Sequence, residues 1–172
     1  MLYLQLVDGL RYTQEVHMQH PGLTQGRAQQ IAANCLGRRV ERLHRIVSRR
    51  FEAELRSTGL SLPQFEMLTE LAASDAPTRP SQLAGTLGLE RSTISRGLDL
   101  LVQHGYVHPS VSPSGRTTDV QITESGLEVL ARAEPAWEGG QRWLQAALGP
   151  DALSHLDRWL TAAEGEAPGT LA

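Results

Sequence analysis

The chain has 172 residues, 40% of them hydrophobic and 5% aromatic, and a formal net charge of −3. These figures fit one mainly helical domain with a core of its own. Because Cys35 is the only cysteine, an intrachain disulfide framework and a thiolate-rich metal site are excluded; with no apolar run near the roughly 20 residues of a membrane-crossing helix, a cytoplasmic protein without a membrane partner is expected.

The negative sum speaks against a nucleic-acid partner only when charge is taken globally. Every basic residue is arginine, and the placement is uneven. Arg38, Arg39, Arg42, Arg45, Arg49, Arg50 and Arg56 crowd one early stretch, Arg91, Arg96 and Arg116 lie mid-chain, and acids gather from Glu124 to Glu166. A local basic surface on an acidic body still gives salt-dependent DNA binding.

In chain order, residues 1–24 carry little pattern and read as a disordered or accessory arm, with Met18 a second candidate start. Met1 to Asp8 lacks the cationic lead and cleavage site of a signal peptide. Leu36, Val40, Leu43, Val47, Phe51 and Leu55 recur every three or four positions, predicting one long helix from about Thr24 to Ser57, ended by Gly59. The next helix opens at Ser61 with Gln64 at capping-box spacing and Pro63 in its first turn. Phe65, Leu68, Leu71 and Ala72 are its expected packed face, and Ser74 to Pro77 ends it.

Pro80 to Leu89 reads as a short helix with Leu83, Ala84 and Leu87 inward, stopped by Gly88. Glu90 to Val102 follows as a second, with Ile94, Leu98 and Leu101 at i, i+4 and i+7. Arg91, Ser92, Thr93, Ser95 and Arg96 take its other side, and Gly97 marks a close packing contact. Two short helices joined at a Gly-containing turn are a helix-turn-helix pattern. After Gly105, Tyr106–Val111 and Thr117–Ile122 read as two antiparallel strands around the turn-forming Ser112-Pro113-Ser114-Gly115-Arg116. The hairpin is a wing with Arg116 at its tip. Such a helix suits the major groove, and the tip guanidinium suits the adjoining minor groove. The plainer readings are a solvated helix face and a solvated loop charge.

Thr123 caps a further helix with Leu127, Leu130 and Ala131 on one side, and Pro135 is expected to kink or interrupt it. Trp137, Trp143, Leu144, Ala147 and Leu148 resume the apolar pattern, and Leu153, Leu156, Trp159 and Leu160 stripe a last helix from Asp151 to about Glu164. The first and last helices carry more apolar surface than one small winged domain can cover, which a two-fold helical dimer would bury. His104 and His108 are separated by Gly105, so they share no helix face, and no metal site is expected.

Leu62-Pro63-Gln64-Phe65, Ser81-Gln82-Leu83-Ala84, Leu87-Gly88-Leu89, Arg91-Ser92-Thr93-Ile94-Ser95-Arg96, Gly105-Tyr106-Val107, Gly115-Arg116 and Ile122-Thr123-Glu124-Ser125-Gly126 together resemble the MarR-type transcriptional regulators, in order and at close to the usual spacing. The resemblance spans roughly Asn34 to Glu164. It implies a mainly α fold with a small β-hairpin wing, a winged helix-turn-helix carried by N- and C-terminal dimerisation helices. The MarR-like domain would be residues 25–164, with the reader at 61–122, dimerisation helices at 25–57 and 123–164, and a flexible tail at 165–172.

It also implies a homodimer, usually a repressor, bound to double-stranded DNA at a pseudo-palindromic operator and answering to a small-molecule effector or to oxidation. The DNA-binding candidates are Arg91, Ser92, Thr93, Ser95, Arg96 and Arg116. Relatives commonly carry an acid two positions before the wing arginine, where this chain has Ser114. Cys35 resembles in position the peroxide-sensing cysteine of the OhrR branch, with Arg38 and Arg39 nearby to favour an anion, although the tyrosines of that branch are missing; it is the candidate redox sensor, and a buried structural thiol is the alternative. No phosphate loop, nucleophile motif, metal-ligand run or carboxylate pair is present, so neither an enzyme nor a cofactor is expected. The rival reading is a winged-helix protein-interaction module that does not bind DNA.

Overall fold

In a computed structural model of the chain, residues 23–111 and 118–165 are described. The expected arm up to Gly22, the wing turn with Ser114 and Arg116, and the tail after Gly165 lie outside the described residues. The elements are α1 (Gln25–Asn34), α2 (Leu36–Leu55), a 3-10 turn (Arg56–Thr58), α3 (Leu62–Ala73), α4 (Pro80–Leu87), α5 (Arg91–Gln103), β1 (Val107–Val111), β2 (Thr118–Ile122), α6 (Glu124–Leu148) and α7 (Ala152–Gly165). The chain divides into two compact units, Met1–His44 and Arg45–Ala172.

In the first unit the single helix expected from Thr24 is broken. Thr24 caps α1 by accepting from the Arg27 amide at 3.3 Å, but Cys35 takes φ −68°, ψ 109° and ends it. Side-chain donors make the break tolerable: the Asn34 amide donates to the Gln30 carbonyl at 3.0 Å, Arg38 to that of Ala32 at 3.5 Å, and Arg39 to those of Ala33 and Cys35. The carbonyls of Ala32 and Ala33, orphaned at the helix end, are thereby satisfied. Apolar periodicity continues through the break, which is why it does not reveal it.

In the second unit, α2 buries Phe51 and Leu55, and the Arg50 guanidinium lies over the half-buried Trp143 ring, 5.5 Å from its centroid, while pairing with Glu54. The capping box of α3 forms: the Ser61 amide donates to Gln64 Oε1 at 2.9 Å and Ser61 Oγ accepts from the Gln64 amide at 3.4 Å. Phe65, Leu68 and Leu71 pack inward, but Ala72 is exposed and Met67 is buried in its stead. One core joins Leu55, Met67, Leu68, Leu83, Ile94, Leu101, Val107, Val120 and Val129; burying such side chains contributes about 1.5–3 kcal/mol each.

β1 and β2 pair antiparallel, Val107 opposite Ile122 through Val111 opposite Thr118. Thr78, ahead of α4, adds a one-residue bridge to Val120 through two backbone hydrogen bonds of 2.9 Å. This tie between the entry to the helix-turn-helix and the wing strand has no local sequence signature.

Helix α6 runs unbroken through Pro135. The carbonyl deprived of a donor belongs to Ala131, which is exposed, so water can replace the lost bond. Its buried residues are Gly126, Val129, Ala133 and Gly140, whereas Leu127 is 49% exposed and Ala131 also faces out. α7 buries no residue, and Leu153, Trp159 and Leu160 are 72%, 62% and 58% exposed. Among the described residues no helix is long and apolar enough to cross a membrane.

Candidate nucleic-acid interface

The helix-turn-helix is built by a turn and a stripe. Gly88 adopts φ 61°, a left-handed conformation that glycine reaches without penalty, and this ends α4. The chain re-enters helix at Glu90, whose carbonyl accepts from the amides of Thr93 and Ile94 at 2.9 and 3.1 Å. Ile94, Leu98 and Leu101 then anchor α5 in the core at 1%, 6% and 0% exposure. Gly97 permits the close approach of α3: a Cβ there would lie 2.5 Å from Met67 Cε and 2.9 Å from its Sδ.

That anchoring turns one face of α5 outward. Arg91, Ser92, Ser95 and Arg96 are exposed and Thr93 is half-buried, so the sequence candidates on α5 share one short cationic, hydroxylated surface. Arg96 Nε donates to the Ser92 carbonyl at 3.1 Å, which holds the stem against the helix and leaves the terminal guanidinium nitrogens for another acceptor. Arg116 lies outside the described residues. Arg91 and Ser95 border a groove of about 420 Å³ between α4, α5 and the hairpin, together with Ser81, Asp99 and Pro109.

The sequence reading missed three charged groups here. Asp99 stands one turn beyond Ser95 on the groove edge, and its i+4 spacing was the available signal. Arg79 occupies the residue before α4, and Asp119 on β2 is 4% exposed. Arg79 Nε and Asp119 Oδ1 are 3.9 Å apart.

The base of the wing is fixed to α6 by Thr123. Its hydroxyl donates to the Gly105 carbonyl at 2.7 Å and accepts from the Gly126 amide at 3.0 Å, and its own amide donates to Tyr106 at 3.0 Å. Thr123 thus joins the start of α6 to the segment that follows α5. His104 stacks on Tyr106 with ring centroids 5.6 Å apart, while His108 sits exposed on β1. Among the described residues no group of three metal-ligating side chains occurs.

Cys35 belongs to the other unit. It is half-buried at the break between α1 and α2 and borders a hollow with Arg27, Gln30, Ile31 and Asn34. Arg38 and Arg39, expected beside its thiol, donate to backbone carbonyls.

A helix-turn-helix followed by an antiparallel hairpin, with arginines and hydroxyls displayed on its second helix, defines a winged helix-turn-helix DNA-binding protein. Residues 58–116 match the MarR family. The chain is 23% identical over 120 residues to the HTH-type transcriptional regulator PecS of Dickeya dadantii (strain 3937), covering 68% of this chain and 72% of PecS. The transcriptional regulator MosR of M. tuberculosis superimposes with a TM-score of 0.69 at 27% identity, over 77% of this chain and 97% of MosR. The transcriptional repressor CouR, bound to a 23-mer DNA duplex, does so with a TM-score of 0.69 at 26% identity, over 83% of this chain and 99% of CouR. CouR from Rhodococcus jostii RHA1 has also been solved with p-coumaroyl-CoA, here at 19% identity and a TM-score of 0.68. Over residues 58–116 the chain is thus similar to the MarR family, and the relatives named are transcriptional regulators.

Proposed function

We propose that the chain acts as a homodimeric repressor of a pseudo-palindromic operator and is released by a small molecule or by oxidation. The observation that carries this reading is the outward face of α5, where Arg91, Ser92, Ser95 and Arg96 are exposed beside the half-buried Thr93. Arginine offers the bidentate fork that fits guanine or phosphate, and the hydroxyls suit phosphates or base edges. Arg116 serves the adjoining minor groove. The exposed apolar residues of α7 support two-fold pairing, and a dimer sets the half-sites about 10 base pairs apart.

The repressor sense follows CouR, the relative named as one. A hollow of about 410 Å³ between α3 and α6, bordered by Phe65, Thr69, Leu127, Leu130, Glu134 and Trp137, favours a small, largely apolar effector. Since α6 holds the wing base through Thr123, an occupant there would shift the reader by favouring one of two dimer conformations. Cys35 is the proposed oxidative input.

Selection of bound sequences from a random duplex pool tests the reading. Recovery of a two-fold motif with half-sites roughly 10 base pairs apart is expected, with weaker recovery after peroxide treatment and no such weakening in Cys35→Ser. Absence of salt-dependent affinity for any duplex would refute DNA binding and favour an interaction module; indifference to peroxide would remove Cys35 alone.

A further inference from the structure

Asp119 is the buried charged side chain among the described residues, at 4% exposure. Its Oδ1 has no hydrogen-bond donor, and Arg79 Nε faces it at 3.9 Å, too far for a hydrogen bond. A carboxylate withdrawn from water without a full set of donors opposes folding. An apolar side chain would serve the core better here, so the carboxylate serves some other end.

Its surroundings indicate that end. Thr78 and Val120 exchange both backbone hydrogen bonds at 2.9 Å, so in this antiparallel bridge the residue after Thr78 and the residue before Val120 are neighbours. Those residues are Arg79 and Asp119. Arg79 is held at the entrance to α4, its amide donating to Gln82 Oε1 at 3.1 Å, while Asp119 belongs to the wing. A one-residue bridge is a pivot, about which a two-stranded hairpin can rock. A second attachment beside the pivot removes that freedom, and an ion pair running from an arginine side chain 52% exposed to a carboxylate 6% exposed supplies one.

We propose that Arg79 and Asp119 form a latch that sets the angle of the β1–β2 hairpin against the helix-turn-helix. Asp119 is then a positioning residue for the wing's engagement with DNA. The proposal rests on the reading of α5 and the wing as a DNA-binding surface. Neither residue was assigned to DNA binding by the sequence.

The test uses the full chain and its selected operator, with affinity and hydroxyl-radical footprints measured for wild type, Arg79→Ala, Asp119→Asn and the double variant. Each single variant is expected to lower affinity by roughly tenfold and to lose protection at the minor-groove flanks while keeping the central major-groove footprint. The double variant should be no weaker than either single, because both break one latch. Arg79 is exposed enough for its variant to fold even if Asp119→Asn does not, and Arg79→Lys should restore part of the flank protection.

Additive losses, or unchanged flank protection in Arg79→Ala, would overturn the latch while leaving wild-type binding intact. So would opposite effects, with Arg79→Ala weakening binding and Asp119→Asn preserving or strengthening it, since that pattern marks Arg79 as a direct phosphate contact. Wild-type protein that binds no duplex would overturn the DNA-binding reading as well.

Discussion

Arg96 is exposed yet not free to wander, because its Nε is tied to the Ser92 carbonyl at 3.1 Å. That tether leaves a planar pair of nitrogens to point away from the helix, which a lysine cannot reproduce. Arg96→Lys should therefore keep most of the nonspecific, salt-dependent affinity and lose about 1–3 kcal/mol of discrimination between operator and mismatched duplex. Competition gel shifts at two salt concentrations would measure both quantities; unchanged discrimination would mean that Arg96 contacts phosphate alone. Gly97, next to it, shows how a residue can be legible for its size alone. It interrupts a good helix at a cost of about 1 kcal/mol relative to Ala, so it pointed to close packing, but only the fold named Met67 as the neighbour.

Among the elements, the helix-turn-helix was the most readable, because its signals are local: Pro80 in a first turn, Gly88 at φ 61° and an i, i+4, i+7 stripe on α5. α6 was read less well. Leu127 and Ala131 are apolar and correctly spaced, yet the inward line is Gly126, Val129, Ala133 and Gly140, whose small residues let neighbouring elements approach. Pro135 stays within this helix on a water-facing side. Its replacement by Ala restores a backbone donor and removes a ring clash, so Pro135→Ala should stabilise the protein, by up to about 3 kcal/mol. Thermal or urea unfolding would register the gain, and a lower midpoint would show that the proline supports a bend which packing requires.

At the scale of the whole molecule, α7 leaves Leu153, Trp159 and Leu160 more than half exposed. Apolar surface on this scale marks an interaction site, and the proposed occupant is a second copy of the chain. Trp159→Asp is expected to shift sedimentation from dimer to monomer at micromolar concentration. It should also weaken operator binding by at least tenfold, since separate monomers forgo the joint engagement of two half-sites. A dimer of unchanged strength would place the interface elsewhere. A net charge of −3 is compatible with the proposed cationic reading face, because a duplex would meet that face and not the average.

Composition, helical period and capping chemistry were enough to reveal a helix-turn-helix with a wing and a face of arginines and hydroxyls, since each of these signals is carried by residues within one or two turns of each other. The choice of Met67 over Ala72, the inward face of α6 and the bridge from Thr78 to Val120 were decided by the tertiary structure. Each depends on what lies opposite, and residues distant along the chain leave no local trace of their meeting. The same holds for Arg79 and Asp119: individually they are an arginine before a proline and an acid in a short strand, and only the fold makes them neighbours.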